Sequence, residues 1–284
     1  MATTSKAVLI TGCSTGIGRA TAAHLASKGW PVYATARKLD AIKDLEAKGC
    51  KTLALDVCDE ASMRAAVQAV EQAHGAVGVL VNNAGYGLEG CFEETPMELV
   101  RRQFETNVFG LTRMCQLVLP GMRKQGWGKI VNLSSVGGTL TLPGGAFYHA
   151  TKYAVEALSD AMRFELGGFG IDVVLIQPGP IKTEFGNTAI ANVNSVSQNG
   201  SAYAAFNAHV AGKIHEAFEG WMAVMAGAPE DVAHAIERAI NASRPRTRYP
   251  ITAAARTMMF LRRWLPDRGF DAFLRTQFPP PRPS

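Results

Sequence analysis

Paired cysteines are missing from this chain. Its five cysteines, Cys13, Cys50, Cys58, Cys91 and Cys115, are odd in number, widely spaced and without a Cys-x-x-Cys. That argues against a disulfide framework or a cysteine zinc site and suits reduced thiols in a cytosolic protein. The six histidines form no His-x-x-x-His or His-Glu-x-x-His group, so no metal ligation is expected. A long hydrophobic run is also lacking. The longest uncharged stretch, 185–212, is interrupted by asparagine, serine and glycine and could not span a membrane. The start, "MATTSKAVLITG", enters a short strand without the apolar core of a signal peptide. These absences together lead us to expect a cytoplasmic protein.

Little of the charge is unbalanced. Of 284 residues, 19% are charged and 47% hydrophobic, with a net charge of +5. This is the composition of a soluble globular protein, long enough for a sizeable core. Residues 244–284 hold nine arginines and two aspartates, so the remainder of the chain is slightly acidic. The basic character belongs to the C-terminal tail, and the main body is not a nucleic-acid-binding surface.

What is present is alternation. Short β-branched runs fall at 7–10, 31–36, 51–55, 78–81, 129–134 and 172–177, separated by amphipathic segments of helical period. Apolar strands alternating with helices predict an α/β fold, a doubly wound parallel sheet covered by helices on both faces. Ligands then bind beyond the carboxyl ends of the strands, where strand order reverses.

After the first strand comes "TGCSTGIGRA". Gly12, Gly16 and Gly18 permit a tight strand-to-helix turn and close approach of a diphosphate, and the helix beginning near Gly16 offers that anion unpaired N–H groups. The spacing, Gly-x-x-x-Gly-x-Gly, differs from the commoner Gly-x-Gly-x-x-Gly. The second strand ends in "YATARKLD", where an NAD-selective site usually carries an acid for the ribose hydroxyls. Arg37 and Lys38 stand there instead, and a guanidinium suits a 2′-phosphate. The cofactor expected is NADP(H) rather than NAD(H), although Asp40 lies close by.

"AFYHATKYAVEAL" places Tyr148 and Lys152 one helical turn apart on one face. Taken alone, the pair describes a packed aromatic beside a solvated lysine. With "TGCSTGIG", "NNAG" (82–85), "NLSS" (132–135) and "YHATK" (148–152) in this order, the chain resembles the short-chain dehydrogenase/reductase family, strongly over about 6–185 and more weakly over 186–243.

That resemblance implies a Rossmann-type sheet of about seven strands and an oxidoreductase working between C=O and CH–OH. It makes Tyr148 the acid/base, Lys152 its partner, Ser135 rather than Ser134 the carbonyl-orienting hydroxyl, and Asn107 the holder of a relay water. Lys152 would draw the phenol toward a pKa useful near neutrality. Cofactor contacts are implied for Gly12, Ser14, Thr15, Gly16, Ile17 and Gly18 in the first turn, and for Arg37. Further along they fall on Asp56 and Val57, on Asn83, Ala84 and Gly85, on Tyr148 and Lys152, and on Pro178, Gly179, Ile181 and Thr183. The whole chain looks most similar to bacterial NADP-dependent aldehyde reductases and to the 17β-hydroxysteroid and retinol dehydrogenase group. The substrate expected is a small, hydrophobic carbonyl compound or its alcohol.

Residues 1–252 are expected to form the main domain, with 184–228 as a lid over the substrate. Tyr203, Phe206, Phe218, Trp221, Met222 and Met225 could line that lid or merely pack it down. Residues 253–284 form a basic amphipathic extension, suited to packing on the lid or a second subunit, or to peripheral contact of 253–278 with an anionic membrane. A homodimer or homotetramer is expected from the resemblance.

Overall fold

The computed structural model describes residues 4–197, 200–220 and 224–281. Seven strands form one parallel sheet in the order β3-β2-β1-β4-β5-β6-β7. They are β1 (Val8–Ile10), β2 (Val32–Ala36), β3 (Lys51–Ala54), β4 (Val79–Asn82), β5 (Gly128–Leu133), β6 (Ile171–Gln177) and β7 (Arg248–Pro250). Strand order reverses between β1 and β4, which opens a crevice at the carboxyl end of the sheet.

The central strands are largely apolar because both faces are covered. Val8, Ile10, Val79, Val81, Val174 and Ile176 point into one core, against α1 (Gly16–Ser27) and α8 (Pro229–Asn241). Their neighbours Leu9, Leu80, Val173 and Leu175 enter the other core, against α2 (Glu60–His74), α4 (Leu111–Gln125) and α5 (Ala146–Gly167). A period of two thus distributes one strand between two interiors.

Two features depart from the sequence reading. The amphipathic segment between the fourth and fifth strands is not one regular helix: it is α3 (Met97–Phe104), then a π-helical stretch Glu105–Gly110, then α4. Such wide turns are rare and cluster at functional sites; this one carries Asn107. The other departure is β7, which lies in what read as the start of the basic tail. It has three residues, one arginine and one proline, too short to show any period, and proline is tolerated because the strand is at the sheet edge. Arg248 is not a free cation. Its guanidinium donates to Glu156 at 2.8 Å and Asp160 at 2.7 Å on α5, which fastens the last strand to that helix.

Over the crevice lie α6 (Phe185–Val196) and α7 (Ala204–Phe218), packed on each other. The chain ends in α9 (Ala253–Trp264) and α10 (Asp267–Gln277). α9 is anchored at its start. Thr252 caps it by accepting the Ala255 N–H at 3.1 Å, and buried Ala255 lies where a side chain on Gly179 would project.

Candidate active site

One continuous cleft at the carboxyl ends of the strands gathers nearly every residue singled out above. At its floor, the turn after β1 is shaped by close backbone packing. Gly12 has φ +73°, and a Cβ there would lie 2.9 Å from the Cα of Ala84, so neither conformation nor space admits a side chain. A Cβ on Gly18 would run into the Gly12 carbonyl and the Asn83 amide. Gly18 therefore does not line the cleft; it lets α1 approach β4.

The turn is braced by residues whose side chains point inward. Asn83 Nδ2 donates to the carbonyls of Thr11 (2.9 Å) and Gly12 (2.8 Å). The buried hydroxyl of Thr11 accepts the N–H groups of Asn83 and Ala84, both at 3.0 Å. Thr11 was missed from sequence because a threonine closing a strand has no distinctive signature. These bonds leave the first turn of α1 facing the cleft with no acidic residue. The side chain of the N-cap Thr15 makes no capping bond, and Ser14 and Thr15 are exposed at the cleft wall. A helix start with these properties fits a diphosphate.

Toward the β2 edge, Arg37 and Lys38 line the cleft, both exposed and without an ion pair among the described residues. Asp40 does not border it. Asp56 and Val57 form the opposite wall there, with the Asp56 carboxylate accepting the Cys58 N–H at 3.0 Å. This end is thus open, with the cations Arg37 and Lys38, unpaired among the described residues, on one wall and the Asp56 carboxylate on the other.

The other end is enclosed. α5 turns Tyr148, Lys152, Val155, Glu156 and Ser159 inward, a helical face at four- and three-residue steps. Tyr148 and Lys152 are 9% and 8% exposed. The Lys152 ammonium donates one bond, to the Leu133 carbonyl at 2.7 Å, which leaves two of its N–H groups for the cleft. Burial pushes its pKa down to about 8, with Glu156 opposing.

Within the chain itself, burial is the largest influence on the phenol. Burial drives the Tyr148 pKa upward, the Ser135 hydroxyl partly offsets this, and the carboxylate of Glu89 adds to the rise. Lys152 stands 5.8 Å from the ring centroid with its amine held at Leu133. Desolvation is thus the largest influence on this group, and it favours the protonated phenol. Ser135 lies at the cleft with its Oγ accepting the Gly137 N–H at 3.0 Å. Ser134 is more deeply buried, and its Oγ has no hydrogen-bond partner among the described residues.

Asn107 sits behind this wall. Its Nδ2 donates to the Tyr86 carbonyl (2.9 Å) and to Thr151 Oγ1 (3.1 Å), and its Oδ1 accepts the Tyr86 N–H at 3.1 Å. Both amide protons are engaged, so the side chain acts as a strut between the loop after β4 and α5. Pro178, Gly179, Ile181 and Thr183 border the middle of the cleft, held by Lys182 N–H to Gly227 O (3.0 Å) and Gly227 N–H to Pro180 O (2.9 Å).

The roof is mixed, with Thr188, Asn192 and Lys213 beside its apolar side chains, and those apolar residues are mostly not the ones expected. Of the six, Phe218 lines the cleft, joined by Phe185, Val210 and Ile214. The Phe185 ring lies 5.5 Å from Tyr148 and 6.2 Å from Phe218. Tyr203 faces away, donating to Glu93 at 2.7 Å; Phe206 does not border the cleft and Met225 is half exposed. Trp221 and Met222 lie outside the described residues. Composition alone could not tell the inner face of α7 from its outer one.

Two further residues at the enclosed end were not anticipated, Glu89 and His149. His149 Nδ1 pairs with the Gly137 carbonyl at 3.0 Å, and Nε2 accepts the Leu142 N–H at 3.3 Å. This assigns the proton to Nδ1, and burial lowers the ring's pKa.

Residues 6–194 match the model of the short chain dehydrogenase family. A 3-ketodihydrosphingosine reductase of Bacteroides thetaiotaomicron is 41% identical over 69% of this chain and 71% of its own length. An NADPH-dependent 3-dehydrocapnine reductase of Ornithobacterium rhinotracheale is 35% identical over 93% and 94%. The solved structure of a short-chain dehydrogenase from Streptomyces avermitilis superposes with a TM-score of 0.79 at 33% identity, covering 96% of each chain. The chain therefore belongs to the short-chain dehydrogenase/reductase family, and it is an oxidoreductase of that family.

Proposed function

We propose that this protein is an NADP(H)-dependent reductase of a lipophilic aldehyde or ketone, with Tyr148 as general acid. The observation that carries the reading is one cleft with Ser135, Tyr148 and Lys152 at its enclosed end and the unopposed Arg37 at its open end. The N-terminus of α1, the Gly12 turn, Arg37 and the free N–H groups of Lys152 would hold the dinucleotide. When bound, the cofactor supplies the hydride, or accepts it in the reverse direction.

The chain's own residues manage the oxygen. A substrate carbonyl at the enclosed end meets the phenol of Tyr148, which gives its proton as negative charge develops on that oxygen. Ser135 stabilises the same oxygen by a hydrogen bond from its hydroxyl. Burial keeps the phenol in its acid form, the form reduction requires. Phe185 and Phe218 present an apolar wall and exclude water, which favours a hydrophobic substrate over a sugar. The reductase named from O. rhinotracheale uses NADPH, in line with Arg37.

Purified protein should consume NADPH with hydrophobic aldehydes or ketones, and NADH at least about tenfold less effectively, as charge-assisted bonds to one phosphate warrant. A preference for NADP⁺ with lipophilic alcohols would reverse the assigned direction. No turnover across a broad carbonyl panel would instead favour a non-catalytic dinucleotide sensor, although such a sensor has no use for Ser135, Tyr148 and Lys152 gathered in one cleft.

A second reading concerns location. The protein would be cytoplasmic, in keeping with its free cysteines. No helix among the described residues is long and apolar enough to cross a membrane. Phe260 and Trp264, one turn apart on α9, are nevertheless 65% and 70% exposed, and Arg256 and Arg263 are exposed on the same helix. This amphipathic surface suits peripheral contact with anionic lipid. The protein should float with anionic vesicles and stay behind with neutral ones; failure to bind either removes this role. Exposed Phe109, Tyr153 and Phe164 beside α4 and on α5 support self-association as a homodimer or homotetramer.

A further inference from the structure

We propose that Glu89 is the specificity-determining carboxylate of the substrate pocket and that the preferred substrate is a lipophilic ketone carrying a cationic amine close to its carbonyl. This rests on the carbonyl-reductase reading above and names the substrate class of that same site.

Glu89 lies on the loop after β4 and faces the cleft at the end occupied by Tyr148. Its position is made by two glycines. A Cβ on Gly145 would meet Glu89 Oε2 at 2.6 Å, and one on Gly87 would stand 3.5 Å from Oε1. That same Gly145 point lies 2.6 Å from His149 Nε2, so carboxylate and imidazole are no more than twice that distance apart. The carboxylate is also near enough to Tyr148 to raise the phenol's pKa by its charge.

No described residue pairs with Glu89, by hydrogen bond or by ion pair. The contrast with its neighbours is informative. Glu93 accepts from Tyr203 at 2.7 Å and Glu94 from Asn207 at 3.4 Å, and the buried Glu156 is held by Gln177 at 2.9 Å and Arg248 at 2.8 Å. The imidazole beside Glu89 cannot serve it, because both ring nitrogens are engaged with Gly137 and Leu142. Enclosure without a cation pushes the Glu89 pKa up to about 8, the response of a carboxylate that lacks a counter-charge.

An uncompensated acid is costly in an apolar pocket. Phe185, Phe218, Val210 and Ile214 would accept a hydrocarbon chain, and none offers Glu89 a partner. Lys213 also borders the cleft, but its ammonium is held by Glu216 at 2.9 Å, so the group that would satisfy Glu89 comes with the ligand, as a donor placed near the carbonyl that Tyr148 protonates. A protonated amine supplies both the hydrogen bond and the charge, which makes it a better match than a hydroxyl. Discrimination follows because a ligand without the amine leaves the carboxylate unpaired.

The test compares a long-chain α-amino ketone with the same ketone lacking the amine, using NADPH, in wild type and in Glu89→Gln. The ratio of kcat/KM, amine-bearing over neutral, should favour the amine in wild type and fall about tenfold to hundredfold in the variant, the range of a charge-assisted hydrogen bond. Taking the ratio cancels any general damage from the substitution. An unchanged ratio overturns the assignment of Glu89, while reduction of the neutral ketone by wild type would leave the reductase reading standing. Should wild type reduce neither ketone, the reductase reading fails by itself. Calorimetric binding of dodecylamine against dodecanol then decides on Glu89: amine selectivity abolished by Glu89→Gln upholds the cationic subsite, and equal binding of both by wild type removes it.

Discussion

Tyr148→Phe is expected to lower turnover with any carbonyl substrate by at least about a hundredfold, the lower range for removing a general acid. The substitution deletes one hydroxyl and keeps the ring, so packing against Phe185 at 5.5 Å and the inward face of α5 should survive. Dinucleotide binding should stay near normal, because the groups at the N-terminus of α1 and the Lys152 ammonium are untouched. The measurement pairs steady-state NADPH oxidation with a fluorescence titration of NADPH. A variant that keeps more than about a tenth of wild-type turnover would show that the proton arrives from elsewhere.

Arg37→Asp should transfer cofactor preference toward NADH, by about tenfold to hundredfold in the ratio of kcat/KM values. Removing a guanidinium forfeits charge-assisted hydrogen bonds, and the new carboxylate repels a 2′-phosphate while accepting from ribose hydroxyls. The residue is exposed at the cleft edge and has no ion-pair partner among the described residues, so the change should cost little stability. Unaltered preference would place the recognition of that phosphate on other groups, Lys38 first among them.

Several elements were readable because their physics is local. Each of the first six strands is a short apolar run, and each was located within about two residues. Gly12 and Gly16 have positive φ in the structure, a demand that glycine in a strand-to-helix turn already announces. Tyr148 and Lys152 share a face because four residues make nearly one helical turn. The strand β7 was not readable, since three residues with a proline carry no period and their pairing with β6 depends on a partner about seventy residues away. The π-helical widening at 105–110 was likewise hidden, because six residues are too few to tell its period from that of the helices on either side.

By itself, then, the amino-acid order determined the doubly wound class, the family, and which residue types stand after which strand. Tertiary structure alone decided how those groups behave. It showed burial as the largest influence on the Tyr148 phenol, Asn107 engaged as a strut, Phe185 rather than Tyr203 turned to the cleft, and Glu89 beside Tyr148 without a partner among the described residues. The reason is physical: conformational preference and periodicity act over a few neighbouring residues, whereas desolvation and hydrogen-bond satisfaction depend on what chain topology brings together from distant segments.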